Sequence, residues 1–248
     1  MSETGTSSAS GNAGDARRAP SPAITRAAKI LSLLAEQPQQ VVGASALSRR
    51  TGVPKSTVLN LCAALVDERF LRRVRGGFQL DHRLAELGNA YLKSVQEVEE
   101  FYGLCRGLLT GVPQTVQLGV LAETLTVVFL ARHDGQQPLN LGLASEIGRS
   151  VPAHCTATGK ALLAAAGPES ARARLPADGK LPTVTGNSLE TTESLEAELE
   201  ATRQRGYSVE QGEIVLGLCC VGVAIRTPHR ADGLIGIRAC LSWFVGVV

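Results

Sequence analysis

The spacing of apolar side chains changes several times along the chain, and each change marks an element. From Ala23 to Gln37 the residues Ile24, Ala27, Ala28, Leu31 and Leu34 fall on one helical face, and Pro38 ends the run. A short helical stretch, Ala44 to Thr51, leads into Gly52-Val53-Pro54, where glycine permits a left-handed turn and proline presets a new first turn. After it Val58, Leu61, Cys62, Leu65 and Val66 recur at i, i+3, i+4, i+7 and i+8, which buries one face. Lys55, Ser56, Thr57, Leu59 and Asn60 are left on the other side or at the amino end. Two strand-like runs around Gly76-Gly77, from Phe70 to Leu80, then predict a hairpin.

Beyond the hairpin, Leu84, Leu87, Tyr91, Leu92, Val95, Val98 and Tyr102 keep a three-four spacing that predicts one linker helix over 81–103. So narrow a seam calls for a partner or for the chain's own domains to cover it. Past Gly111 the period shortens. Thr115–Leu121 and Leu125–Arg132 have strand lengths and are joined through Ala122-Glu123-Thr124, and Leu139–Ala144 is a third strand candidate. VPAHCTATGKALLAAAG, Val151 to Gly167, passes from extended backbone into a helix starting near Cys155 or Thr156. Thr191 or Thr192 caps a further helix with Leu195 and Leu199 inward, Arg203 and Arg205 in its last turn and Gly206 as its stop. Gly217–Arg226 and Leu234–Val245 are two long strands around the 228–233 turn. The expected fold class is α+β: a small helical domain with a hairpin over 23–80, the linker, and a domain with an antiparallel sheet over 104–248. Residues 1–22, rich in Ser, Gly, Ala and Thr, are expected to form a mobile tail because they hold too little apolar surface to offset the entropy of ordering.

Length alters this picture little, since 248 residues suit two modest domains. Charge alters it more. Lys and Arg number 25 against 23 Asp and Glu, so the whole chain argues for no partner, yet Arg49, Arg50, Lys55, Arg69, Arg72, Arg73 and Arg75 crowd one short span. A helix pair with a tight turn, small polar and basic residues opening the second helix, and a cationic hairpin together make a winged helix-turn-helix. Lys55, Ser56, Thr57 and Asn60 are expected to face the major groove of double-stranded DNA, and Arg72, Arg73 and Arg75, with Arg49 and Arg50 nearby, to meet phosphates. No signal peptide opens the sequence and no run is long enough to cross a bilayer, so a cytoplasmic protein without membrane contact is expected.

Six cysteines without CxxC spacing are expected to be reduced and mostly buried, and neither a metal site nor a cofactor is expected. An enzyme would need His154-Cys155 as base and thiol, or Cys219-Cys220 as a redox pair. Neighbours on extended backbone point to opposite sides, which argues against both. The amides that open the helix near Thr156 favour an anion.

Four motifs in order, TGVPKSTV, LAELGNAYL, GRSVPAHCTATGKALLA and RGYSVEQGEIVLGLCCVGVAI, make residues 23 to 243 resemble the IclR-type bacterial transcriptional regulators. The resemblance implies a winged helix-turn-helix, a linker helix, a GAF-like effector domain, and assembly as a homodimer or dimer of dimers. It also implies control of operons by a small metabolite, carboxylate-bearing or aromatic. Carried over by motif, the effector pocket falls on Ala157, Thr158, Glu210, Cys220, Cys240 and Ser242. The sequence departs from the pattern at Asn60, where members often carry arginine, at Cys240, in place of the first of two serines, and at Trp243-Phe244. It also stops at Val248, where members continue into a helix. These departures motivate the alternative of a sensor or interaction module with a weakened DNA or effector site.

Overall fold

The structure is a computed structural model that describes residues 21–109, 111–122, 124–136, 146–230 and 232–242. The expected tail before residue 21, the strand candidate Leu139–Ala144 and the final residues with Trp243 and Phe244 lie outside the described residues. Two compact units divide the chain, Met1–Leu87 and Gly88–Val248.

In the first unit, α1 (Pro22–Ala35), α2 (Ala44–Thr51) and α3 (Lys55–Asp67) precede a hairpin of β1 (Leu71–Val74) and β2 (Gly77–Leu80). Ile30, Leu34, Leu47, Val58, Cys62, Leu71 and Phe78 form its core. The turn between α2 and α3 is set locally. Gly52 takes φ 70°, and its amide donates to the Ser48 carbonyl. The Ser48 hydroxyl then donates to the Val53 carbonyl at 2.6 Å, which fixes where α3 begins. At the far end of α3 the chain leaves through Arg69, a non-glycine residue at φ 62°, with the Phe70 amide closing back on the Leu65 carbonyl at 2.8 Å. The strand register pairs Val74 with Gly77. The hairpin turn is therefore Arg75-Gly76, one residue earlier than the sequence suggested, and Gly77 is part of the ladder. Phe78 exchanges backbone hydrogen bonds with Val42 (3.1 and 3.2 Å), which ties the hairpin to the segment between α1 and α2.

The expected single linker helix is two helices. α4 (Arg83–Ser94) ends and α5 (Gln96–Leu108) begins at Val95, whose backbone is extended (φ −92°, ψ 100°). The Ser94 hydroxyl donates to the Tyr91 carbonyl at 2.7 Å, a local bond that competes with continued helix, and β-branched Val95 follows it. The two halves of the seam then part company. No residue of α4 is fully buried, whereas Val98, Phe101 and Cys105 of α5 pack on a sheet.

Among the described residues that sheet has six antiparallel strands in the order β5-β4-β3-β8-β7-β6. They are β3 (Thr115–Leu121), β4 (Thr126–His133), β5 (Ser150–Pro152), β6 (Ser208–Gln211), β7 (Leu218–Arg226) and β8 (Leu234–Ser242). α5 covers one face, while α6 (Ala157–Ala166) and α8 (Thr192–Arg205) lie on the other, with the short α7 (Pro168–Arg172) after α6. The unit is α+β, as expected. Thr156 caps α6 by accepting from the Gly159 amide (3.1 Å), and every residue of α6 from Ala157 to Ala164 is buried. This close seating depends on Gly222 and Gly236. A Cβ on Gly236 would stand 2.6 Å from Thr158 Cγ2, and one on Gly222 2.6 Å from the Ala157 backbone. α8 has the expected bounds, capped by Thr191, stopped at Gly206 and holding Leu195 and Leu199 inward. Burial of each leucine stabilises the fold by roughly 1.5–3 kcal/mol. Among the described residues no helix is long and apolar enough to cross a membrane.

Candidate functional site

Two sets of side chains carry chemistry, one on the surface of the first unit and one inside the second. On the surface, the turn before α3 leaves the start of that helix open. Val58 and Cys62 face the core, Lys55, Ser56 and Asn60 are exposed, and Thr57 is half-buried. Arg49 is exposed in the last turn of α2. Arg50 instead pairs with Glu36. An exposed ion pair contributes only about 0–1 kcal/mol, so a phosphate can displace Glu36.

In the hairpin, Arg72 lies opposite Gln79 and donates to its Oε1 (3.2 Å), whereas Arg73 lies opposite Phe78, its guanidinium 5.2 Å from the ring centroid. The two arginines leave opposite faces of the ribbon, and Arg75 stands at the tip. The sequence grouped all three as one phosphate-binding edge; the alternation of a strand separates them.

Inside the second unit, strand register collects the polar groups into two neighbouring rows on the face toward α6. One row runs Glu210, Cys220, Cys240, Thr115, and the other Ser208, Gly222, Arg238, Gln117. Glu210, Cys220, Cys240 and Arg238 are each no more than 1 % exposed, as are Ala157 and Thr158 above them. Ser242 continues β8 opposite Leu218. The Ala157 carbonyl already accepts from the Ser208 hydroxyl (2.5 Å). Arg238 donates through Nε and Nη2 to Gln117 Oε1 (3.0 and 2.7 Å), and its guanidinium lies 4.2 Å from the Phe129 ring centroid.

On this face of the sheet Arg238 Nη1 and Glu210 Oε2, in neighbouring rows, have no hydrogen-bond partner, nor does Thr158 Oγ1 one row further along. Buried polar atoms left this way are rare and costly, and they mark a place where a ligand can supply partners. Burial pushes the Glu210 carboxyl above its ordinary value, against hydrogen bonding from Cys220 and the charge of Arg238, which favours its neutral, proton-donating form. A guanidinium cannot shed its charge. The interior thus offers a cation with a spare N–H near a carboxyl that burial pushes toward its neutral form.

A second buried network braces this interior. Lys160, 1 % exposed, reaches Glu213 Oε1 at 2.7 Å and Glu198 Oε1 at 4.0 Å. Ser188 donates to the Glu213 carbonyl (2.8 Å) and Thr185 to that of Gly212 (2.6 Å), so the segment after β6 is fastened to the polar connection before α8.

His154 and Cys155 lie in a 3-10 turn, Ala153–Cys155, and not on the extended backbone expected, yet the pair has no base-and-thiol geometry. His154 Nε2 bonds the Pro182 carbonyl (2.9 Å), burial lowers the basicity of the ring, and burial pushes the Cys155 thiol up to about 11. Cys219 and Cys220 leave opposite sides of β7, Cys220 inward and Cys219 half-buried. Among the described residues no group of three His, Cys, Asp or Glu could hold a metal ion.

Of the six residues carried over by resemblance, Glu210, Cys220 and Cys240 share one row of the sheet, Ala157 lies over Gly222 in the neighbouring row, Thr158 lies against Gly236 one row further along, and Ser242 follows two residues after Cys240 on the same strand. Sequence reasoning missed Arg238 and Gln117. The one available signal was a charged residue in the inward phase of an otherwise apolar strand, Leu234 to Ser242.

Two family profiles cover the chain: the IclR helix-turn-helix domain over residues 23–75 and the bacterial transcriptional regulator IclR C-terminal domain over 89–237. The HTH-type transcriptional regulator Rv1719 of Mycobacterium tuberculosis is 31 % identical over 82 % of this chain and 76 % of its own length. An IclR transcriptional regulator from Alicyclobacillus acidocaldarius shares the fold with a TM-score of 0.74 at 22 % identity, over 92 % of this chain and 90 % of that one. An IclR homolog from Microbacterium hydrocarbonoxydans, solved in complex with 4-hydroxybenzoate, has a TM-score of 0.66 at 23 % identity, over 89 % of each chain. With both profiles in order along the sequence and a relative aligned over most of its length, the chain belongs to the IclR family of bacterial transcriptional regulators.

Proposed function

We propose that the chain binds operator DNA through 23–80 and that a small organic anion held within 104–248 changes its affinity, with 81–103 joining the two. The observation that carries the DNA role is the open start of α3. Lys55, Ser56 and Asn60 stand clear of the core that Val58 and Cys62 fill, so the fold can present them to base edges without unpacking. Arg49, Arg50, Arg72, Arg73 and Arg75 supply phosphate contacts and Thr57 a short hydroxyl at the groove. Arg72 and Arg73, which leave opposite faces, serve different phosphates or only one of them at a time.

The unmet Arg238 N–H near Glu210, whose carboxyl burial pushes toward its neutral form, supports a carboxylate ligand, with Cys220 and Cys240 beside them and the opening of α6 at Ala157 above; the resemblance adds Thr158 and Ser242 to the site. The complex of a relative with 4-hydroxybenzoate supports an aromatic hydroxy acid as a first probe. Because Ala157, Thr158, Glu210, Cys220, Arg238 and Cys240 are sealed from solvent, the ligand enters only when the surrounding chain moves, and coupling to DNA follows if it prefers one of the two arrangements.

The working form is a homodimer or a dimer of dimers, since one recognition helix reads too few bases for a genome. Leu87 and Tyr91 of α4, 44 % and 49 % exposed, offer a second copy an apolar seam.

Fragments of the host genome bound by the full chain identify the operator. Fluorescence anisotropy on that fragment is then run with and without 4-hydroxybenzoate and related small carboxylates. At least one acid is expected to shift DNA affinity in the wild type and to have no effect on Arg238→Met. No selective fragment would contradict the DNA role; a response that survives in Arg238→Met would contradict the proposed site.

A further inference from the structure

We propose that Cys220 and Cys240 are a redox pair that closes to a disulfide across β7 and β8 on oxidation by hydrogen peroxide. The two residues are direct partners in the strand register. Their sulfurs face each other at 2.9 Å, with Cys220 donating. Directly opposed residues of antiparallel strands have Cα atoms about 4.5–5.5 Å apart, within the span a disulfide bridges, so closure requires side-chain rotation and little backbone movement. Both thiols are free, and they are 1 % and 0 % exposed. An oxidant must therefore be close to water in size, and a bulky disulfide such as oxidised glutathione is excluded.

The surroundings favour Cys240 as the attacking sulfur. The hydrogen bond from Cys220 draws its thiol below the ordinary value against burial, the Arg238 charge acts in the same direction as that bond, and burial holds Cys220 protonated. The Cys240 thiolate, its proton given up to solvent, attacks one peroxide oxygen. The O–O bond breaks, and the departing hydroxide takes up a proton as the first water. Cys240 is then a sulfenic acid. The Cys220 sulfur bonds to it and expels its oxygen, which leaves with the Cys220 proton as the second water. Two thiols and one peroxide thus give one disulfide and two waters; the protein loses two electrons and the peroxide gains them. Cys219, on the outer side of β7, has no part in this.

The cross-link would lie beside Glu210 and Arg238, so an oxidant would act on the interior proposed to hold the ligand. That consequence rests on the ligand reading; the cross-link itself does not. It is tested chemically on the full reduced chain, with no DNA or effector present. After exposure to hydrogen peroxide, free thiols counted by alkylation under denaturing conditions are expected to fall from six to four and to return to six on treatment with dithiothreitol. A non-reducing tryptic map is expected to join the peptide of residues 206–226 to that of 239–248. The link should survive in Cys219→Ser and disappear in Cys220→Ser and in Cys240→Ser. A count that stays at six, irreversible oxidation of one cysteine, a link between two chains, or a link that persists in Cys220→Ser would overturn the proposal. If a variant fails to fold, fragmentation of the joined wild-type peptides between Cys219 and Cys220 decides the matter: a link on Cys220 supports the proposal and one on Cys219 overturns it.

Discussion

The two units treat polarity in opposite ways. Among the described residues every fully buried polar or charged side chain, from Glu97 to Arg238, belongs to the second unit, and the first has none. The first unit is a small apolar core carrying cations on its outside; the second holds a guanidinium, an ammonium and three carboxyl groups among its apolar groups. A surface built this way can be altered without harming the fold. An interior built this way cannot, because each charge taken from water needs its partner. The difference suits a division of labour in which one unit meets a large polyanion and the other encloses a small ligand.

The contrast is sharpest at Lys160. Lys160→Met leaves Glu213 buried without its cation and is expected to cost the second unit about 3–5 kcal/mol in chemical denaturation. The double variant with Glu213→Leu should recover most of that loss. If Lys160→Met were as stable as the wild type, the interior would not be held by paired charge. Next comes the seating of α6: Gly236→Ala drives a methyl against Thr158 and is expected to cost roughly 1–3 kcal/mol. A neutral outcome would mean that α6 can retreat from the sheet.

Glu210→Gln tests the interior through pH. Folding raises the carboxyl pKa above its ordinary 4.5, so the stability linked to its proton is complete below about 4.5 and is lost as pH rises through the folded value. The glutamine variant should therefore melt higher than the wild type at neutral pH, and the gap should close in acid. A gap that widens in acid would reverse the sign and put a charged carboxylate in the native interior. The smallest expected effect on stability is in the first unit, where Arg75→Ala should change unfolding by less than about 0.5 kcal/mol. A larger loss there would mean that the hairpin tip serves the fold.

The same contrast explains what the sequence disclosed. Elements with local causes were legible: the Gly52 turn, the Thr191 cap and the inward Leu195 and Leu199 are each set within a few residues. The exposed set at the start of α3 was legible too, because helical periodicity alone assigns it a face. The break at Val95 was not, since the apolar spacing runs on through it. The interior needed information that no single segment holds. Arg238 meets Gln117, and Cys220 meets Cys240, only through the register of strands distant in sequence, and the family resemblance supplied positions without Arg238 or the reason these residues share a level.

The surface role of the first unit is tested most directly by the salt dependence of operator binding, measured by anisotropy for the wild type and Arg75→Ala on the selected fragment. Removal of one phosphate contact is expected to weaken binding on all sequences alike and to reduce the slope of log affinity against log salt by about one, with unfolding unchanged. The same affinity and the same slope in both proteins would contradict it.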